Sequence, residues 1–125
     1  MGERMFTFQR LNVYQNAREL VKHVYLMLDK FPGKEMYALC DQLRRAVISV
    51  PSNIAEGLSR RSNKEQMHFI EIAYGSLMEV LCQIELSTDL GYITSEEYAQ
   101  TEEKIEIIAR QLSGLRNSLS SNSKG

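Results

Sequence analysis

Two arginine pairs, Arg44–Arg45 and Arg60–Arg61, followed by Lys64, are the residues of this chain best able to do chemistry, and what they offer is contact with phosphate. They form a candidate basic edge, for a nucleic-acid backbone or for a polar network between subunits. No aromatic stacking motif accompanies the arginines, so nothing here points to base-specific readout. On a helical wheel Gln42, Arg45, Ser49, Asn53, Glu56 and Arg60 fall opposite the apolar stripe, as an outward polar track. Within that track Asn53, Glu56 and Arg60 make a candidate polar network. Glu56 stands four residues before Arg60, the favourable order for a helical ion pair worth ~0.3–0.5 kcal/mol when exposed. The plain alternative is a solvated helix face.

Enzymatic chemistry finds little material. His23 and His68 are isolated, and Glu65 with His68 is a single copy of a spacing that di-metal bundles use twice, together with further core-facing glutamates that the first helix lacks. Gly57, Gly75 and Gly91 are single and scattered, which excludes a phosphate-cradling glycine loop. The expectation is no catalytic residue, no metal site and no cofactor.

The stretch Gln42–Ser76 positions the cations, and it reads as the end of one helix, a sharp corner and the start of the next. Apolar residues at steps of three and four predict a first helix from an Asn12 N-cap through Val13, Ala17, Leu20 and Val24 to Phe31, stopped by Pro32-Gly33. A second helix starts between Lys34 and Tyr37, with Met36, Cys40, Leu43, Val47, Ile54 and Leu58 on its buried stripe. The stripe keeps its phase across Pro51, which predicts one helix kinked there. Gly57, near its end, can relax the end of the helix or let another backbone approach.

Ser62 and Glu65 form a capping box for a third helix, which runs to Leu90 with Gly91 as its stop; Thr94 and Glu97 form another for a fourth, ending near Leu119. Four amphipathic helices with short connections predict an all-α, antiparallel up-down-up-down four-helix bundle. Residues 1–125 form one domain, with 1–11 as a lead-in carrying Phe6, Phe8 and Leu11, and 120–125 as a frayed tail.

Apolar residues at 43% and charged residues at 25% exclude wholesale disorder. The net charge of −1 conceals an uneven distribution: residues 1–61 carry ten Lys/Arg against six Asp/Glu, and residues 62–125 carry five against ten. Such asymmetry steers an anionic partner to one face or lets subunits meet head to tail. Cys40 and Cys82 read as small buried hydrophobes in a reducing cytoplasm. No signal core, myristoylation site or membrane-length apolar run is present, so no membrane partner is expected. On the third helix Phe69, Ile72, Leu86 and Leu90 lie away from the core stripe, and large apolar groups left outside predict self-association through helices two and three.

Residues LNVYQNARELVKHVY, QLRRAVISVPSNIAEGLSRRSNKEQMHFIEIAYGSLMEV and LGYIT resemble the four-helix-bundle proteins encoded in intervening sequences of bacterial 23S ribosomal RNA genes, which are similar to the accessory variability proteins of diversity-generating retroelements. The central run holds Pro51, Asn53, Ile54, Ala55, Glu56, Gly57, Arg60 and Ser62 in the family's order. The resemblance implies a left-handed up-down bundle, relatives that assemble as five-fold rings, and no enzymatic activity. For the retroelement relatives it implies a basic assembly that binds nucleic acid and a reverse transcriptase; this chain departs from that in its slightly acidic balance.

The expected function is a non-enzymatic, homo-oligomeric scaffold, a homopentamer by resemblance, associated with RNA, DNA or a nucleic-acid-processing protein through the edge Arg44–Lys64. The alternative is a protein-interaction adaptor with no direct nucleic-acid contact.

Overall fold

The periodic apolar pattern becomes four α-helices in the protein's structure, a computed structural model that describes residues 6–123: α1 Asn12–Leu28, α2 Leu39–Leu58, α3 Asn63–Asp89 and α4 Ser95–Ser123. Residues 1–5 of the expected lead-in and 124–125 of the expected tail lie outside the described residues. Each helix contributes fully buried side chains to one core, among them Leu20, Leu43, Ile54, Leu77, Ile108 and Leu112. Helix α1 packs on α2 and α4, and α3 packs on the same two, so α1 and α3 stand diagonally across the core.

Contacts between helices follow a consistent order. Partner numbers in α4 fall as those in α1 rise: Asn16 bonds Gln111, His23 bonds Thr101, and Lys30, just past α1, pairs with Glu97. Between α2 and α3, Ser49 meets Ser76 while Gly57 lies against Phe69.

The helix ends follow from local chemistry. Ser62 Oγ accepts the Glu65 backbone N–H at 3.1 Å, and the Glu65 carboxylate accepts the Ser62 hydroxyl. Thr94 and Glu97 complete a reciprocal box, each backbone N–H donating to the other's side chain at 2.9 and 3.0 Å. Gly91, at φ +80°, closes α3: its N–H donates to the Thr88 carbonyl and that of Tyr92 to the Ser87 carbonyl, satisfying two end carbonyls. Helix α2 runs unbroken through Pro51.

Four local expectations are corrected. Asn12 is the first helical residue and not the cap; Leu11 precedes α1 and no side chain caps it, a 3-10 turn at Thr7–Arg10 feeding the chain in directly. Helix α2 begins at Leu39, because the connection from α1 first makes a 3-10 turn at Gly33–Glu35. Met36 is therefore 49% exposed instead of lining the core. Cys40 is buried as expected but Cys82 is exposed, since it projects from the flank of α3 that no other helix covers. Helix α4 continues through Ser123, past the Ser120 at which the sequence places a frayed tail, with Leu119 buried to hold the last turns.

A half-buried histidine joins α1 to α4. Thr101 has one hydroxyl hydrogen and donates it to the Glu97 carbonyl at 2.7 Å, so the 2.8 Å contact with His23 is an Nε2–H donating to Thr101 Oγ1. Burial, and then the Lys104 charge, push the His23 pKa below its ordinary 6.5. The unfolded chain therefore binds this proton at a higher pH than the folded one. The His23 contribution is complete above 6.5 and declines as pH falls below it. Urea titrations across this window should show stability falling with acidity, and a His23→Gln variant should lose that part of the slope; an unchanged slope would remove His23 as the cause.

Candidate functional site

The arginines sort into two groups along α2. Arg44 and Arg45 occupy its second turn, whereas Arg60, Arg61 and Lys64 surround the corner where α2 gives way to α3. Arg45 and Arg60 are fifteen residues apart, about 22 Å at the helical rise, so the cations are two clusters on a long edge. Arg44 Nη2 donates to the Met36 carbonyl at 3.0 Å, which ties the α1–α2 connection to α2. Arg45 is largely exposed and its Nε lies 3.4 Å from the Asp41 carboxylate.

Arg60 is the most constrained of the five. Its Nη2 donates to Glu56 at 2.8 Å, its guanidinium lies 4.9 Å over the Phe69 ring, and its backbone carbonyl accepts from Gln66 Nε2 at 2.7 Å. The Nε is buried without a hydrogen-bond partner. These contacts make Arg60 a clamp across the corner, held by cation–π attraction and an ion pair. Arg61 and Lys64 are exposed and neither carries an ion pair or hydrogen bond among the described residues. They are the cations left free for a phosphate or a carboxylate.

Asn53 does not join Glu56 and Arg60. Its Nδ2 donates to the Ser49 carbonyl at 2.8 Å and to Ser49 Oγ at 2.9 Å, and Ser49 Oγ lies 2.8 Å from Ser76 Oγ on α3. The polar track thus divides: Gln42, Arg45 and Glu56 are exposed, while Ser49 and Asn53 turn partly inward at the α2–α3 seam. A buried hydroxyl without a partner costs a few kcal/mol, so this small network helps to set the register of the two helices.

The four apolar residues expected outside α3 also divide. Ile72, Leu86 and Leu90 are 38%, 48% and 56% exposed. Phe69 is instead half-buried, between the Arg60 guanidinium and Gly57. The sequence carried no signal for the Arg60–Phe69 stack, because the two residues lie on either side of the corner. The Tyr92 hydroxyl bond to Glu35 at 2.6 Å was likewise hidden, its partners being far apart in sequence.

Among the described residues no three His, Cys, Asp or Glu side chains come together as a metal site, and no helix is long and apolar enough to cross a membrane. His68 is exposed, edge-on to Phe69.

Comparison with known proteins adds the family. The family described as 23S rRNA-intervening sequence protein matches over residues 9–114. No curated protein matches the chain. A crystal structure of a protein with unknown function from the S23 ribosomal protein family of Bacteroides thetaiotaomicron VPI-5482 is similar in fold, with a TM-score of 0.75 and 21% identity, covering 83% of this chain and 97% of that one.

Proposed function

We propose, from the premise that this chain belongs to the 23S rRNA-intervening sequence protein family, that it is a non-enzymatic, self-assembling helical scaffold that meets RNA phosphates through the corner between α2 and α3. The observation that carries this reading is the state of Arg61 and Lys64, exposed beside a rigid Arg60 clamp and unpaired among the described residues. The apolar residues Ile72, Leu86 and Leu90 outside α3 support self-assembly, since exposed apolar groups in a line usually mark an interface. The family description names 23S rRNA, which makes RNA the first nucleic acid to test. A ring of five copies is the assembly size that the family resemblance implies.

Binding of this kind is electrostatic, so it falls steeply with salt. Fluorescence anisotropy of a short single-stranded RNA across a salt series measures it. An Arg61→Gln/Lys64→Gln variant should bind more weakly, with a log–log slope reduced by about 0.7 for each lost phosphate contact. Arg44→Gln/Arg45→Gln tests the distant cluster in the same way. Unchanged binding in both double variants, or binding indifferent to salt, would overturn the reading.

One observation favours the adaptor alternative. Leu26 and Tyr37 are 66% and 89% exposed and, with Met36, leave apolar surface around the α1–α2 connection. A single protein recovered in stoichiometric amount after nuclease treatment, and lost on Tyr37→Ser substitution, would support that alternative.

A further inference from the structure

We propose that the pocket between the end of α1 and the start of α2 binds a free α-amino acid with an apolar side chain. It lies at the opposite end of α2 from the corner that holds Arg61 and Lys64, so its ligand and RNA can be tested separately. Arg44 is the residue that the pocket shares with the candidate basic edge.

The pocket has a volume of about 260 Å³. Pockets for drug-sized molecules run to ~300–1,000 Å³, so the occupant of this one is small. Leu28, Phe31 and Cys40 give it a buried apolar side. Burial pushes the Cys40 thiol pKa above its ordinary 9.0, with Arg44 drawing it down and Glu35 adding to the rise, so the sulfur stays neutral and serves as apolar wall. The walls are braced from outside. The Phe31 ring lies 5.3 Å from that of Tyr92, whose hydroxyl donates to Glu35, and Arg44 donates to the Met36 carbonyl. Walls fixed before a ligand arrives lower the ordering cost of binding.

Opposite charges line this pocket without meeting. Its charged residues are Asp29 and Arg44, which form no ion pair with each other. Asp29 carries neither an ion pair nor a side-chain hydrogen bond among the described residues, and Lys30 beside it is taken by Glu97. Arg44 uses one N–H on Met36 and keeps others. The backbone has the same polarity: Asp29 follows α1, whose last turn has no basic residue, and Cys40 lies in the first turn of α2, which no side chain caps. A helix is negative at its carboxyl end and positive at its amino end. One side of the pocket thus favours a cation and the other an anion.

That pattern selects the ligand. An inorganic anion on Arg44 would face Asp29, and a simple amine on Asp29 would face Arg44, each against a like charge. An α-amino acid gives its ammonium to Asp29 and its carboxylate to Arg44, as charge-assisted hydrogen bonds, and its side chain to Leu28, Phe31 and Cys40. A sphere of the pocket's volume is about 8 Å across, the span that the two charged groups cover with a hydrogen bond at each end. The groove midway along α1 and α2, over Val21, Ile48 and Pro51, has Arg18 as its one charged residue and offers no such pair.

The backbone amides of Gly33 and Cys40, both in the lining, report occupancy in an NMR titration of isotope-labelled protein. Leucine should shift them saturably, with a Kd on the order of 1 mM. Isocaproate and isoamylamine keep the leucine side chain and lack the ammonium or the carboxylate, and each should bind at least about tenfold more weakly. Asp29→Asn, at an exposed position, should keep the circular dichroism of the parent and bring leucine down to the affinity of isocaproate. Isocaproate that binds the parent as well as leucine does, or leucine binding unchanged in Asp29→Asn, would sink the amino-acid assignment. No saturable shift with leucine at about 20 mM would remove the pocket as its site. Should Asp29→Asn not fold, the comparison of the three ligands on the parent decides.

Discussion

A Leu77→Ala variant should lose about 3 kcal/mol of stability, read as a lowered urea midpoint at unchanged m-value. Leu77 is fully buried in the α3 stripe that faces the common core, and its removal deletes packed methyl groups and leaves a cavity that helices braced on two sides cannot easily close. A loss of this size is a large share of the total for a protein of 125 residues. Leu86, nine residues along the same helix, supplies the contrast. It is 48% exposed, so Leu86→Ala should leave monomer stability within about 0.5 kcal/mol and reveal itself only in association. Equal losses at the two positions would mean that α3 does not present a core side and an outer side.

Gly57→Leu should be the more damaging change in α2. Even a Cβ added at Gly57 would lie 2.8 Å from Phe69 Cβ and 3.2 Å from the Gln66 carbonyl oxygen, atoms of α3 fixed by its backbone. Neither can swing aside, so α2 and α3 must separate at the corner. Gly57→Ala gains about 1 kcal/mol of helix propensity and should still come out destabilised, because overpacking costs 1–3 kcal/mol. Leucine, with three more carbons to place, should lose more and loosen the Arg60–Phe69 stack that lies against the same residue. Denaturation of both variants measures this; a stabilised Gly57→Ala would show that the helices are not in close contact there.

The corner links stability to the proposed function. Arg60 draws on Glu56, Phe69 and Gln66, residues from both helices, and so holds the direction in which Arg61 and Lys64 leave the bundle. Substituting Arg60 would therefore mix a structural loss with any loss of binding. Arg61 and Lys64 give the cleaner test, since neither supports the corner.

Much of the bundle was legible in the chain itself. Apolar residues at steps of three and four, boxes at Ser62–Glu65 and Thr94–Glu97, and a glycine stop at Gly91 are local signals, written within a turn or two of the structure they specify. Gly57 was readable as a place for close approach, and Ile72, Leu86 and Leu90 as apolar groups outside the core. A helical wheel gives the angle of a side chain from the apolar stripe and no more. Whether a flanking residue meets water or another helix depends on where that helix lies. For this reason tertiary packing alone decided that Ser49 and Asn53 turn to Ser76, that Cys82 stays exposed, and that Arg60 folds onto Phe69. The His23–Thr101 bond and the α1–α2 groove belong to the same class, being formed by residues distant in sequence that only the assembled bundle brings to one place.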